Sequence, residues 1–241
     1  ERSAAKSDRW LNECTCRIGG RHPVLAVLGG GGDPLARKKA AEAIGRRQDV
    51  SGVVVAGLER AASAEERKRL LRVSLEPLPP RMLRVVVNGL NSPQEILQAI
   101  SCGVDLVAST YPYTLTTNGQ ALCLQRGDST EPRTAAAASE SQQPQKRQKT
   151  CSGEDPLSLS IVNIWDDSMK LDQKPLAPNC TCHTCRNHHR AYVHHLLLAH
   201  EILASVLLQV HNTQALLDFM DVTRLAVASG SFSDLESAVA R

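Results

Sequence analysis

The chain has 241 residues, 42% of them hydrophobic, which is enough to bury a core as one domain or two small ones. Phe, Trp and Tyr together make up only 3%, so that core is aliphatic, and a net charge of +3 is too slight by itself to mark a nucleic-acid binder. No apolar run has the length of a membrane span, and the first residues lack a signal-peptide pattern, so a secreted disulfide framework is not expected from the eight cysteines. Cys14, Cys16, Cys102, Cys123 and Cys151 therefore read as reduced thiols. The chain begins with Glu1 rather than Met, which fits a fragment of a longer protein.

Residues 24–108 alternate strand and helix. Val24–Leu28 is a short apolar run ending in Gly29-Gly30-Gly31-Gly32, and Pro34–Arg47 reads as a helix with proline in its first turn, where the missing N–H costs nothing. Val53-Val54-Val55 is a β-branched strand ending at Gly57. Ser63-x-x-Glu66 and Ser92-Pro93-x-Glu95 are capping boxes that open helices toward Val73 and Ile100. Leu83–Val87 and Val104–Ala108 supply two more strands. Val-rich strands separated by helices predict a parallel sheet buried on both faces. Four such units form an open sheet or one half of a (β/α)₈ barrel, which needs eight. The glycine run lacks the spacing of a dinucleotide or Walker loop and has no Lys-Ser/Thr after it, so a nucleotide site is disfavoured.

From about Gln120 to Pro156 the pattern collapses into a stretch low in large apolar residues, read as a disordered insertion. Its Lys146-Arg147-x-Lys149 offers charge for RNA phosphates, but a solvated linker is the favoured reading. Order resumes with the alternating strand Leu157–Val162. Cys180-Thr181-Cys182-His183-Thr184-Cys185 then puts three soft ligands on one short polar loop, and His211 completes the Cys₃His set that tetrahedral structural zinc prefers. Three thiols this close on a polar loop are not core residues, and an iron–sulfur cluster usually wants a fourth cysteine. One straight helix from Cys185 to His211 would separate them by about 39 Å. Tyr192, Leu196, Ala199, Leu203, Val206 and Val210 form a helical stripe across this interval, so the chain must double back if His211 is a ligand. A break near His200–Ile202 is expected to do this, giving a helix pair, followed by a helix over Thr213–Met220 and a short one over Asp234–Val239. His194 and His195 read as packing or surface residues rather than contacts to RNA or a partner.

Cys180-x-Cys182-x-x-Cys185, Arg190-Ala191-Tyr192-x-His194-His195-Leu196, Glu201-Ile202-Leu203 and His211-Asn212, in that order, resemble the C-terminal signature of the tRNA-guanine transglycosylase (queuine tRNA-ribosyltransferase) family. These enzymes exchange a guanine at the anticodon wobble position of tRNA for queuine or its precursor. The resemblance runs from Trp10 to about Met220, the insertion excepted. It implies α/β architecture: the last four βα units of a TIM-type (β/α)₈ barrel over residues 1–119, an insertion over 120–156, and a helical zinc-binding subdomain with C-terminal helices over 157–241. One structural zinc ion on Cys180, Cys182, Cys185 and His211 is implied as well.

The same resemblance implies lost chemistry. The family's nucleophilic aspartate lies in a pattern close to G-x-D-x-F-D-C-x-x-P-T-R, and the matching stretch here runs from Gly103 to Thr114 with Ala108 at the nucleophile position. A methyl group cannot hold a covalent ribosyl intermediate. Asp105 is three residues away on the opposite strand face, and no sequence feature supplies Ser109 with a base. The base-reading Gln of the family's Gln-Gly-Gly is replaced by Gly29; the pocket's Gly-Gly-Leu is partly kept as Ala56-Gly57-Leu58. No catalytic or cofactor-binding residue is therefore expected. The pattern resembles the family's accessory, non-catalytic branch, whose members pair with a homologous catalytic subunit as a heterodimer and bind tRNA across it. The implied location is cytoplasmic and peripheral at the mitochondrial outer membrane, with no membrane-spanning segment. Two alternatives stand: an active transglycosylase with a displaced nucleophile, and a stand-alone zinc interaction module on an open sheet.

Overall fold

The computed structural model describes residues 2–87, 89–125 and 157–239. The chain divides into two compact units, Glu1–Asn118 and Gly119–Arg241. The insertion residues 126–156, Cys151 among them, lie outside the described residues.

In the first unit helix α1 (Arg2–Ile18) precedes β1 (Leu25–Leu28), α2 (Pro34–Gly45), β2 (Gly52–Val55), a 3₁₀ turn at Leu58–Arg60, α3 (Ala64–Leu75), β3 (Leu83–Val87), α4 (Pro93–Ser101), β4 (Leu106–Ala108) and α5 (Tyr111–Thr117). The sequence pattern did not announce α1. Both capping boxes form, each with its acid reaching one residue further back than the usual reciprocal bond. Ser63 Oγ accepts from Glu66 N–H at 3.1 Å while the Glu66 carboxylate accepts from Ala62 N–H at 2.7 Å. Ser92 Oγ accepts from Glu95 N–H at 3.2 Å, and Glu95 accepts from Asn91 N–H at 2.6 Å.

The four strands are parallel and lie in sequential order, β1-β2-β3-β4. In a parallel ladder, residues in register share a face, as do residues two apart. Leu28, Val55 and Val86 are in register, and all three are buried. The opposite face carries Leu25, Gly52 and Leu83 in one row, Val27, Val54, Val85 and Leu106 in the next, and Val87 with Ala108 in the last. Burial on both faces was expected, but Leu25, Val27, Leu83, Val87 and Leu106 are exposed. The strand chemistry suits a buried sheet, yet the described residues leave one apolar face uncovered.

The second unit opens with β5 (Gln120–Gln125), antiparallel to β6 (Ser158–Asn163) with Leu122 opposite Ile161. A strand at Gln120–Gln125 was not expected. Ala121, Leu122 and Cys123 are all buried, so the segment shows no in–out alternation by which to recognise it. A 3₁₀ turn at Asp167–Leu171 leads to α6 (His183–Asn187), α7 (Arg190–Leu198), α8 (Ile202–Ser229) and α9 (Phe232–Val239). Ala121, Ile164, Leu176, Val193, Leu196, Ala204, Leu207 and Leu208 form the core of this unit. The helix expected over Thr213–Met220 is not separate. It is the middle of the 28-residue α8, which has no internal Gly or Pro and ends at Gly230 (φ 76°). No helix among the described residues is long and apolar enough to cross a membrane.

The break between α7 and α8 falls at His200, within the interval where the span from Cys185 to His211 called for a reversal. His200 adopts a left-handed φ of 55°. Its N–H donates to Leu197 O at 3.1 Å, and the Glu201 N–H donates to Leu196 O at 2.9 Å. This is a Schellman cap with histidine where glycine is usual. A side chain in that conformation costs about 1–2 kcal/mol, so His200→Gly should stabilise the protein by about 1 kcal/mol. A higher denaturant midpoint at unchanged m-value is the expected readout, and a lower midpoint would show that the imidazole contributes something the backbone does not reveal.

Candidate metal centre and the end of strand four

The cysteine loop is held before it reaches its first thiol. The Arg190 guanidinium donates from Nε to Pro175 O (3.0 Å), from one terminal nitrogen to Leu176 O (3.0 Å), and from the other to Asp172 Oδ2 (3.1 Å). Arg190 is thus a lock on the approach to the loop. The buried Cys123 thiol donates to Leu176 O at 3.1 Å from the other side. Asn179 then turns the chain through φ 61°, a conformation Asn tolerates well, and Cys180 follows. Cys182 is the N-cap of α6, its sulfur accepting from Cys185 N–H at 3.4 Å. Thr184 donates to Leu207 O at 2.7 Å in the buried interior and fastens α6 to α8.

Because the chain doubles back at His200, α8 brings His211 to this loop. The ligand atoms of Cys180, Cys182, Cys185 and His211 all lie within 4.8 Å of one another, and among the described residues this is the one such cluster. His211 Nδ1 stands 3.6, 3.6 and 3.3 Å from the sulfurs of Cys180, Cys182 and Cys185. A single proton serves one or two acceptors, not three equivalent ones. Metal–sulfur bonds of about 2.3 Å and metal–nitrogen bonds of about 2.0 Å give a tetrahedral edge of about 3.5 Å, so the four donors fit one metal ion. The imidazole is oriented for this. Nε2 lies 2.9 Å from Leu122 O, and a carbonyl only accepts, so Nε2 carries the hydrogen and Nδ1 faces the thiols.

The electrostatics agree. Hydrogen bonds from Cys180 and Cys185 hold the Cys182 thiol far below its usual pKa, and the hydrogen bonds that Cys180 makes to Cys182 and Cys185, with burial, push its own thiol well up. Burial alone would lower the His211 pKa; hydrogen bonds to Cys182 and Cys185 and their charge outweigh it and raise it to about 9. The cluster favours positive charge at its centre, either a proton on Nδ1 or a metal ion in its place. Metal binding displaces those protons, so affinity rises with pH.

The histidines around the loop stay out of the cluster. His183, His188 and His189 make ring contacts with one another or with Tyr192. His194 is buried, with Nδ1 donating to Ile164 O at 2.7 Å, and belongs to the packing; His195 is exposed.

The end of β4 is chemically bare. Ala108 is exposed and in register with Val87. The Asp105 carboxylate accepts from Arg84 N–H at 2.8 Å, at the start of the strand. Ser109 Oγ donates to Leu90 O at 2.9 Å and accepts from Tyr111 N–H at 3.1 Å, and no base bonds to it among the described residues. At the end of β1 the glycine loop is occupied by a side chain that sequence reasoning passed over. Arg37 is fully buried and donates to Gly31 O (2.6 Å), Ala56 O (3.0 Å) and Ser74 Oγ (3.4 Å). Burial lowers its pKa and Glu59 partly restores it. Gly30, at φ 132°, is required here, since a Cβ would lie 2.7 Å from Arg37 Cγ. The run is a packed cradle for an arginine rather than for phosphate. Its only advance sign was a cationic residue on the inward side of α2.

A parallel α/β unit with a bare strand end, joined in sequence to a unit carrying a Cys₃His cluster, defines a narrow class of protein. The Queuine tRNA-ribosyltransferase family model matches residues 1–241, and the chain belongs to that family. It is 31% identical over 228 residues to queuine tRNA-ribosyltransferase accessory subunit 2 of Danio rerio, covering 91% of this chain and 54% of that one. It is likewise 31% identical over 248 residues to accessory subunit 2 of Xenopus laevis, covering 98% and 60%. Queuine tRNA-ribosyltransferase of Gloeobacter violaceus is 27% identical over 234 residues, covering 97% and 53%. The chain spans little more than half the length of these relatives.

Proposed function

We propose that this chain is the C-terminal half of an accessory, non-catalytic subunit of a queuine tRNA-ribosyltransferase. The observation that carries this reading is the end of β4: Ala108 offers no nucleophile, Asp105 is engaged at the other end of the strand, and Ser109 is spent on backbone bonds. The name shared by the Danio and Xenopus relatives supports it, and through that name a catalytic subunit of the same family is the partner. Sequential parallel strands with one uncovered apolar face support reading the first unit as half of a (β/α)₈ barrel, since a doubly wound sheet reverses its strand order. The metal on Cys180, Cys182, Cys185 and His211 is zinc in a structural role, because thiolate and imidazole ligands fill all four positions. Its place of work is the cytoplasm and the outer surface of mitochondria.

Within the pair, this chain helps hold tRNA for exchange at the wobble position. Residues 1–118 carry 17 Lys and Arg against 12 Asp and Glu, whereas aromatic residues for base stacking are scarce. Contact is therefore to phosphate. The test is tRNA affinity of the reconstituted pair and of the catalytic subunit alone across a salt series. The pair should bind more tightly at low salt, with a log–log slope steeper by about 0.7–0.9 for each phosphate this chain neutralises. Equal affinities and equal slopes would remove the tRNA-positioning role.

A further inference from the structure

Among the family-signature residues, His211 has an evident task and its neighbour Asn212 does not. Asn212 is completely buried. Its Oδ1 accepts from Leu122 N–H at 2.9 Å and its Nδ2 donates to Gln120 O at 2.9 Å. His211 Nε2 donates to Leu122 O at 2.9 Å. Leu122 faces Ile161 in the antiparallel ladder, and its N–H and C=O are both directed away from β6 to the side chains of α8. Two consecutive side chains of one helix thus answer three successive polar groups along the free edge of β5. The carboxamide, with one donor and one acceptor, takes the place that a peptide group of a third strand would hold, and the edge is sealed.

This arrangement couples the strand to the metal ligand. Residues 211 and 212 are about 100° apart around the helix, so two anchors on them fix both the rotation of α8 and its position along β5. The Leu122 peptide is gripped at its N–H by Asn212 and at its C=O by His211. We infer that Asn212 is the positioning residue of the metal centre: by holding the Leu122 peptide in place it fixes the Nε2–H tautomer and the ring orientation of His211, and so presents Nδ1 to the three thiols. Thr184, bonded to Leu207 O one turn earlier in α8, sets the cysteine side of the same joint. Partners at this remove from a metal typically change its affinity about 10–100-fold.

The inference rests on the metal reading of the Cys₃His cluster, and the experiment separates the two. The wild-type chain, Asn212→Leu, which keeps the branched shape without hydrogen bonds, and Asn212→Asp, which keeps the acceptor for Leu122 and loses the donor for Gln120, are titrated with Co²⁺ against a competing chelator. The visible spectrum is recorded at saturation, and melting is followed with and without metal. Wild type should give a tetrahedral thiolate–imidazole spectrum; if it binds no Co²⁺, the metal reading fails first. Asn212→Leu should bind Co²⁺ about 10–100-fold more weakly, with a spectrum altered by loss or disorder of the imidazole ligand, and Asn212→Asp should lie between. A residue that only supports the fold would lower the melting temperature equally in both conditions and leave the spectrum of the bound ion unchanged. That result overturns the inference, as would wild-type affinity in Asn212→Asp if Asn212→Leu does not fold. Failure of both variants to fold would make Asn212 a folding residue and end the proposal equally.

Discussion

Cys185→Ser should abolish stoichiometric zinc binding and unfold much of the Gly119–Arg241 unit. The thiol stands 3.3 Å from His211 Nδ1 and is the last of the three on the loop. Serine is a poor ligand for zinc at neutral pH, and among the described residues no fifth donor joins the cluster: Cys123, the other buried thiol among them, is engaged with Leu176 O. The loop and α8 meet through this cluster and through Thr184, so loss of the metal also loosens the seat of α6 on α8. A metal present at about a thousand times its dissociation constant contributes about 4 kcal/mol to stability. For a unit of this size that is about 15 °C or more in melting temperature. Zinc per chain by elemental analysis and melting of wild type, Cys185→Ser and Cys123→Ala give the comparison. Cys123→Ala should keep its zinc and lose only packing and the thiol's bond to Leu176 O. Full zinc occupancy and an unchanged melting temperature in Cys185→Ser would refute a structural Cys₃His site, and chelator treatment of wild type should reproduce the serine variant.

The Cys₃His grouping was legible because its spacing made a demand on the fold. Three thiols within six residues fixed the loop chemistry, and the gap to His211 required a reversal that a continuous helical stripe seemed to deny. The reversal is made at His200, where backbone bonds to Leu197 and Leu196 close a cap without glycine. The capping boxes and Val-rich runs located the helices and parallel strands of the first unit for a related reason, since each is a local pattern with a local cause. What escaped notice depends on residues distant in sequence. Gln120–Gln125 has no strand periodicity because both of its faces are buried. Arg37 answers Gly31, Ala56 and Ser74, and Asn212 answers Gln120 and Leu122 across about ninety residues. A buried polar side chain is defined by its acceptors, and acceptors on other elements leave no mark in the local pattern. The uncovered apolar sheet face escaped for the opposite reason: its residues are those of a buried strand, and only the structure says that nothing described here covers them.

Ala108→Asp, the substitution that restores a carboxylate where the family's nucleophile lies, should leave exchange at background. The position itself is suitable. Ala108 ends β4 on the uncovered face, in register with Val87, and is exposed, so an aspartate there would be tolerated and accessible. A nucleophile acts only on a substrate held in attack geometry, and that holding is worth about 7–11 kcal/mol when it is complete. Little of it remains here. Gly29 has no side chain to read a base edge, and the loop beyond it is closed around Arg37. The family's Thr-Arg pattern is not kept over Tyr113-Thr114-Leu115. These residues lie in α5, where Tyr113 is exposed, Leu115 is buried and Thr114 bonds back to Thr110 O. A single carboxylate therefore meets an unread, loosely held base. Incorporation of labelled guanine or queuine into tRNA is to be measured for the wild-type chain, for Ala108→Asp and for each combined with a catalytic subunit. Only the combinations should be active, at equal rates, and a catalytic subunit lacking its own aspartate should silence both. Exchange by the wild-type chain alone would overturn the accessory reading. Robust exchange by Ala108→Asp alone would show instead that the glycine loop and α5 still grip the base, and that one carboxylate was all this chain lacked.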